Sequence, residues 1–111
     1  MDDKKIIKPK IDIPKEQIRR FCAKNHIRKL ALFGSVLTNH FRKKSDVDIL
    51  VEFDSKHIPG LIQISQLEFE LSEIVGRKVD LRTPKDLSPY FRNDVITGAY
   101  HLYGKNRFCT P

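Results

Sequence analysis

The 111 residues suffice for one compact domain with a real core but not for a catalytic domain plus a separate substrate domain, so a large substrate must sit mostly outside the chain. Apolar residues at 40% and charged residues at 32% exclude a disordered or fibrous chain, while a net charge of +7 suits nucleic acid, a triphosphate or an acidic partner equally and selects none of them. No apolar run approaches the ~20 residues that cross a bilayer, and Met1 to Lys10 lacks the pattern of a secretion signal, so no membrane association and a cytoplasmic location are expected.

Residues 1–13 alternate Lys, Asp and Ile without a helical period and read as a loosely ordered arm. Pro14 suits a first helical turn, and Ile18, Phe21 and Cys22 at i, i+3 and i+4 predict a short amphipathic helix from Lys15 to about Asn25, closed by His26. Ile27 to Phe33 is short, aliphatic and stopped by Gly34, as a buried strand is. Ser35 is expected to cap a short helix reaching about Phe41. Asp46 to Phe53 alternates with apolar Val47, Ile49, Val51 and Phe53, which predicts a second strand.

Leu61, Ile64, Leu67, Leu71, Ile74 and Val75 hold a helical period that Gly76 ends. Lys78 to Arg82 reads as a third strand and Thr83-Pro84 as a turn. Tyr90 to Tyr103, with Phe91, Val95, Ile96, Ala99 and Leu102, reads as a final helix that also carries Tyr100. The expected architecture is α/β, a small mixed β-sheet flanked by helices, with the domain over residues 14–103 and a tail over 104–111.

Two carboxylates stand out. Asp46 and Asp48 are two apart in a predicted strand, so they share a face, and their mutual repulsion at a partly buried strand end calls for a cation. Hard oxygen ligands suit Mg²⁺, which completes its shell with water and substrate phosphates and so points to phosphoryl-group chemistry. Upstream, Gly34-Ser35 marks a strand-to-helix junction where backbone N–H groups make an anion site. The basic cluster Arg42, Lys43, Lys44 stands near enough in sequence to supply counter-charge. Singly, a Gly-Ser turn is usually only a turn and D-x-D a solvated edge; together, ten residues apart, they form a phosphate cradle facing a metal pair.

That pattern, with IRKLALFGSVL, SDVDILVEF and LSEIVGRKVDLRTPKDLSPYFR, strongly resembles the DNA polymerase beta-like nucleotidyltransferase superfamily and, within it, the minimal nucleotidyltransferase antitoxins that accompany HEPN-domain toxins. The resemblance implies the nucleotidyltransferase fold, a third catalytic carboxylate at Asp80, and Mg²⁺, two ions, held by Asp46, Asp48 and Asp80. It further implies AMP transfer from ATP to a tyrosine of the HEPN ribonuclease. Gly34, Ser35, Arg42 and Lys44 are the expected nucleotide-binding residues. Members of the family commonly carry a basic residue three or four positions after the Gly-Ser pair, where this chain has Leu37, Thr38, Asn39 and His40. Two further readings stand beside this one: an antitoxin of weak activity that neutralises its toxin by binding, and a transferase acting on nucleic acid. The last rests on net charge, lacks a recognisable nucleic-acid module, and leaves direct nucleic-acid binding unexpected.

His26, His40, His57 and His101 are dispersed without ligand spacing, and Cys22 and Cys109 have no cysteine partner at metal-binding distance, so no chemistry is assigned to them. Glu52, Asp54 and Asp86 read as solvated charges, with Glu52 on the same strand face as the acidic pair. Ile62 and Phe69 fall off the main apolar stripe of the long helix and suit either a widened core or a partner surface.

Overall fold

A computed structural model describes Pro9 and residues 11–104; most of the arm and nearly all of the tail, Cys109 included, lie outside the described residues. A four-stranded sheet in the order β3-β2-β1-β4 organises the chain. Its strands are β1 (Ile27–Phe33), β2 (Val47–Phe53), β3 (Val79–Arg82) and β4 (Tyr100–Tyr103). β1 pairs antiparallel with β2 and β4, whereas β2 and β3 are parallel, so the sheet is mixed as expected.

Helix α1 (Lys15–Lys24) buries Ile18, Phe21 and Cys22, the three residues that set its period. Asn25 closes it by donating from both its backbone and its side chain to the Phe21 carbonyl, and His26, at φ 58°, turns the chain into β1. Burial pushes the Cys22 thiol up to about 12, so it serves as a small apolar side chain. Helix α2 (Leu61–Val75) buries Leu67 and Leu71 and ends at Gly76 in the left-handed conformation, φ 82°. α1 and α2 pack on one face of the sheet against Leu30, Leu32, Val47, Ile49, Val51, Val79 and Leu81. Ile11 and Ile13 also pack against this core.

The opposite face is thinner. Ala31 and Leu50 meet Leu87 and Ile96, the latter from the short helix α3 (Arg92–Gly98). Here the expected helix over 90–103 is corrected: helix occupies only Arg92–Gly98, and Tyr100 to Tyr103 become β4, pairing with Leu30, Ala31 and Leu32. The free edge of β1 decides this, because its unpaired N–H and C=O groups take up a β-prone Tyr-His-Leu-Tyr segment once the chain passes Gly98. The other edge of the sheet is closed by α2. Glu68 Oε2 accepts the Leu81 N–H at 2.8 Å and Ser72 Oγ accepts the Val79 N–H at 2.9 Å, so the outward donors of β3 are satisfied by helix side chains.

Several charges read as solvated are committed to structure. Glu52 lies across from Lys29 in the sheet, 3.7 Å from its Nζ, with both side chains largely buried. Asp86 completes a capping box with Thr83 around a single 3₁₀ turn, Pro84–Asp86. Ile62 and Phe69 are 79% and 67% exposed, so they do not widen the core.

Candidate active site

Asp46, Asp48 and Asp80 converge at one end of the sheet. β2 and β3 run parallel with Val47 opposite Val79 and Asp48 opposite Asp80. Because alternate residues of a strand share a face, Asp48 and Asp80 point to the same side, away from the α1/α2 core that holds Val47 and Val79. Asp46 stands immediately before β2, half-buried, with its Oδ2 3.9 Å from the exposed Lys78 ammonium. Burial raises the Asp48 pKa first, then the neighbouring Asp80 charge, with Asp46 adding to the rise and Arg82 opposing it. Asp48 therefore carries the electrostatic strain of the cluster.

Gly34 closes the site from the β1 side. Phe33 pairs with Asp48 at the end of β1, and Gly34 follows at φ 81°, a left-handed conformation that other residues rarely take. A Cβ built on Gly34 would sit 2.5 Å from Asp48 Oδ2. Glycine is thus required twice over, for its backbone angle and for the approach of the carboxylate. The expected helix from Ser35 to Phe41 is corrected to one 3₁₀ turn, Gly34–Leu37, with no side-chain cap. Thr38 ends it by donating both its N–H and its hydroxyl to the Ser35 carbonyl, each at 2.9 Å. One turn carries little macrodipole, so any anion held here would depend on local N–H groups and the Ser35 hydroxyl more than on a helix field.

The loop entering β2 is pinned by Arg77, a residue to which the sequence reading assigned no role. Its Nη1 donates to the carbonyls of Arg42 at 3.2 Å and Lys43 at 2.9 Å, and its guanidinium lies 4.6 Å from the Phe41 ring centroid. Arg77 so fixes the approach to Asp46. Arg42 turns its own guanidinium to the Asn39 carbonyl at 2.9 Å, while Lys44 is exposed. Neither is drawn into the carboxylate cluster by a hydrogen bond among the described residues.

Arg82 does share the face of the acidic cluster. It sits opposite Leu50, two residues beyond Asp80, exposed, and it makes no hydrogen bond or ion pair within contact distance among the described residues. Its place becomes visible only through the parallel register of β2 and β3.

The carboxylates suit a hard divalent cation in donor chemistry and charge: all-oxygen, half-buried, on one face, with like-charge repulsion concentrated on Asp48. As placed, no three His, Cys, Asp or Glu side chains among the described residues stand close enough to enclose a metal ion. Mg²⁺ is commonly held by one or two carboxylates completed by substrate phosphates rather than by an all-protein cage, so two of these side chains meet its ordinary demand.

A mixed sheet presenting paired acids beside a glycine turn defines a nucleotidyl-transfer scaffold, and comparison with known proteins agrees. Residues 16–108 match the polymerase beta nucleotidyltransferase family, and the chain belongs to it. It is 40% identical over 76 residues to protein adenylyltransferase MntA of Thermococcus cleftensis, covering 68% of this chain and 75% of that protein. Among solved structures it is similar to a toxin–antitoxin complex with AMP-PNP, with a TM-score of 0.67 at 23% identity over 85% of this chain and 76% of the other. It is also similar to a chain in the complex of tri-AMPylated Shewanella oneidensis HEPN toxin with MNT antitoxin. There the TM-score is 0.59 at 24% identity, over 82% of this chain and 70% of that one. At these identities the structural likenesses speak for the fold. No helix among the described residues is long and apolar enough to cross a membrane.

Proposed function

We propose that this chain is a Mg²⁺-dependent protein adenylyltransferase that moves AMP from ATP to a tyrosine hydroxyl of a cognate HEPN-domain ribonuclease toxin, and so acts as the antitoxin in the cytoplasm. The observation that carries this is the juxtaposition of Gly34, Asp48 and Asp80 across three neighbouring strands at one end of the sheet. Resemblance to MntA, named a protein adenylyltransferase, supports the donor and the type of acceptor. The working unit is residues 14–103, with 1–13 as an arm and 104–111 as a tail.

Asp46 and Asp48 would hold Mg²⁺, with Asp80 as the ligand of a second ion; bound there, the cations neutralise the charge that builds on the triphosphate. The Gly34 turn offers its backbone N–H groups to phosphate while its missing β-carbon lets the Asp48 carboxylate lie close beside them, and Ser35 adds one hydroxyl donor. Arg42 and Lys44 supply counter-charge to the triphosphate if the loop between Leu37 and Asp46 closes on it. Asp80 takes the proton of the attacking hydroxyl. The hydroxyl oxygen bonds to the α-phosphorus, the bond to the β-phosphate oxygen breaks, and pyrophosphate leaves.

A second reading, neutralisation by binding, is favoured by the Thr38-Asn39-His40 stretch, which has no Lys or Arg, and by Arg42 being spent on a local carbonyl. Asp80→Asn separates the two. As an enzyme, this variant should bind ATP·Mg²⁺ nearly as the wild type does and add AMP to the toxin at least a hundredfold more slowly, measured by intact mass and by RNA cleavage. ATP-independent inhibition of the toxin by both proteins would establish the binder instead.

Ser35→Ala is expected to weaken ATP use by about three- to tenfold, because one neutral hydrogen bond contributes roughly 0.5–1.5 kcal/mol and the backbone donors remain. An unchanged rate at subsaturating ATP would make Ser35 a turn residue only.

A further inference from the structure

The sheet assigns sides to the reaction. Reading across strands from β1 to β2 to β3 gives Gly34, then Asp48, then Asp80, so a triphosphate seated at Gly34 leaves the β3 side to the incoming hydroxyl. Arg82 lies on that outermost strand, on the carboxylate face, roughly 6.5 Å beyond Asp80 at the usual strand rise. It is exposed and makes no hydrogen bond or contact-distance ion pair among the described residues, its charge reaching Asp48 only at longer range. A guanidinium kept there has no use for a neutral phenol. It matches a phosphate, which its planar fork can bind through two hydrogen bonds.

We propose that Arg82 is an acceptor-side phosphate-binding residue that receives the phosphodiester of an AMP already attached to the partner, and so sets how readily further AMP units are added. This rests on the AMP-transfer reading above. The first acceptor carries no charge at the hydroxyl, but every later acceptor is a ribose hydroxyl with a phosphodiester anion one nucleotide away. That anion must approach an edge bearing Asp46, Asp48 and Asp80, and Arg82 is the group placed to offset the repulsion. In each later step the ribose oxygen bonds to the α-phosphorus of a new ATP, the bond to the β-phosphate oxygen breaks, pyrophosphate departs, and the hydroxyl proton passes to Asp80. The Shewanella oneidensis HEPN toxin in complex with its MNT antitoxin is tri-AMPylated, so a partner bearing more than one AMP is found beside a chain of this fold.

The test compares wild type, Arg82→Ala and Arg82→Lys in two measurements. In the first, a HEPN ribonuclease partner is modified with ATP·Mg²⁺ and the rates of the first and second additions are followed by intact mass. The second-to-first ratio should fall about tenfold in Arg82→Ala, the order expected for one charge-assisted contact, with partial recovery in Arg82→Lys. An unchanged ratio, or equal loss of both additions, overturns the proposal. In the second, tyrosine bearing AMP on its phenolic oxygen is titrated calorimetrically into each protein with the donor site filled by AMP-PNP and Mg²⁺. Wild type should bind it about tenfold more tightly than Arg82→Ala, and equal affinities overturn the proposal. If the wild type adds no AMP to the partner, the adenylyltransferase reading falls, while the calorimetric comparison still decides the role of Arg82.

Discussion

Asp48→Asn is expected to reduce AMP transfer by about a thousandfold or more while making the Mg²⁺-free protein more resistant to heat. On the proposed metal assignment, the activity loss follows from removing a charged ligand where a cation would contribute several kcal/mol of charge stabilisation. The gain in stability comes from the same residue. Asp48 is half-buried beside Asp80 and Asp46, and burial followed by those charges raises its pKa above the ordinary carboxylate value. With the folded pKa above the unfolded one, the folded state binds the extra proton. Stability contributed by Asp48 is therefore lost as pH rises from the ordinary carboxylate value through the raised folded one. Asparagine has no charge to lose. At pH 7 without metal the variant should melt above the wild type, and adding Mg²⁺ should raise the melting temperature of the wild type more than that of the variant. A variant that melts lower without metal and keeps its activity would remove Asp48 from the proposed ligand set.

Gly34→Ala should cost activity out of proportion to stability. The left-handed angle at φ 81° penalises a β-carbon by about 1–2 kcal/mol, which a domain of this size can survive. The added methyl group would also press on the Asp48 carboxylate, 2.5 Å from Oδ2 and 3.4 Å from Cγ, and force it out of line. A displacement near 1 Å at a reacting centre can cost about a hundredfold in rate. The expected result is a folded protein with a modestly lower melting temperature and transfer reduced at least a hundredfold. Equal losses in stability and activity, or full activity, would show that the Gly34 turn does not shape the site. Combining this change with Asp80→Asn reports whether the two sides of the site fail independently.

Much of the fold was legible from local pattern. The three buried residues of α1, the alternation of β2 and the Gly76 stop of α2 are each produced by interactions within a few residues, and the structure keeps them within a residue of the sequence-based bounds. The Gly-Ser and D-x-D signals were legible because spacing in a strand fixes a face, and the match of Asp80 came through family resemblance. The two misread segments were decided elsewhere. Tyr100 to Tyr103 carries apolar and aromatic residues that fit either period, and only the open edge of β1 turns it into a strand. The segment after Gly34 is held to one 3₁₀ turn, which Thr38 ends with two bonds to the Ser35 carbonyl.

By itself, then, the sequence determined an α/β chain with paired carboxylates, a glycine turn and the chemistry these residue types permit. Tertiary structure alone decided that Asp48 faces Asp80 across a parallel register, that Arg77 holds the loop entering at Asp46, that Glu68 and Ser72 close the edge of β3, and that Arg82 joins the acidic face. The physical reason is that a residue's period along its own strand or helix is set by neighbours in sequence, whereas register between strands is set by hydrogen bonds and packing between segments tens of residues apart.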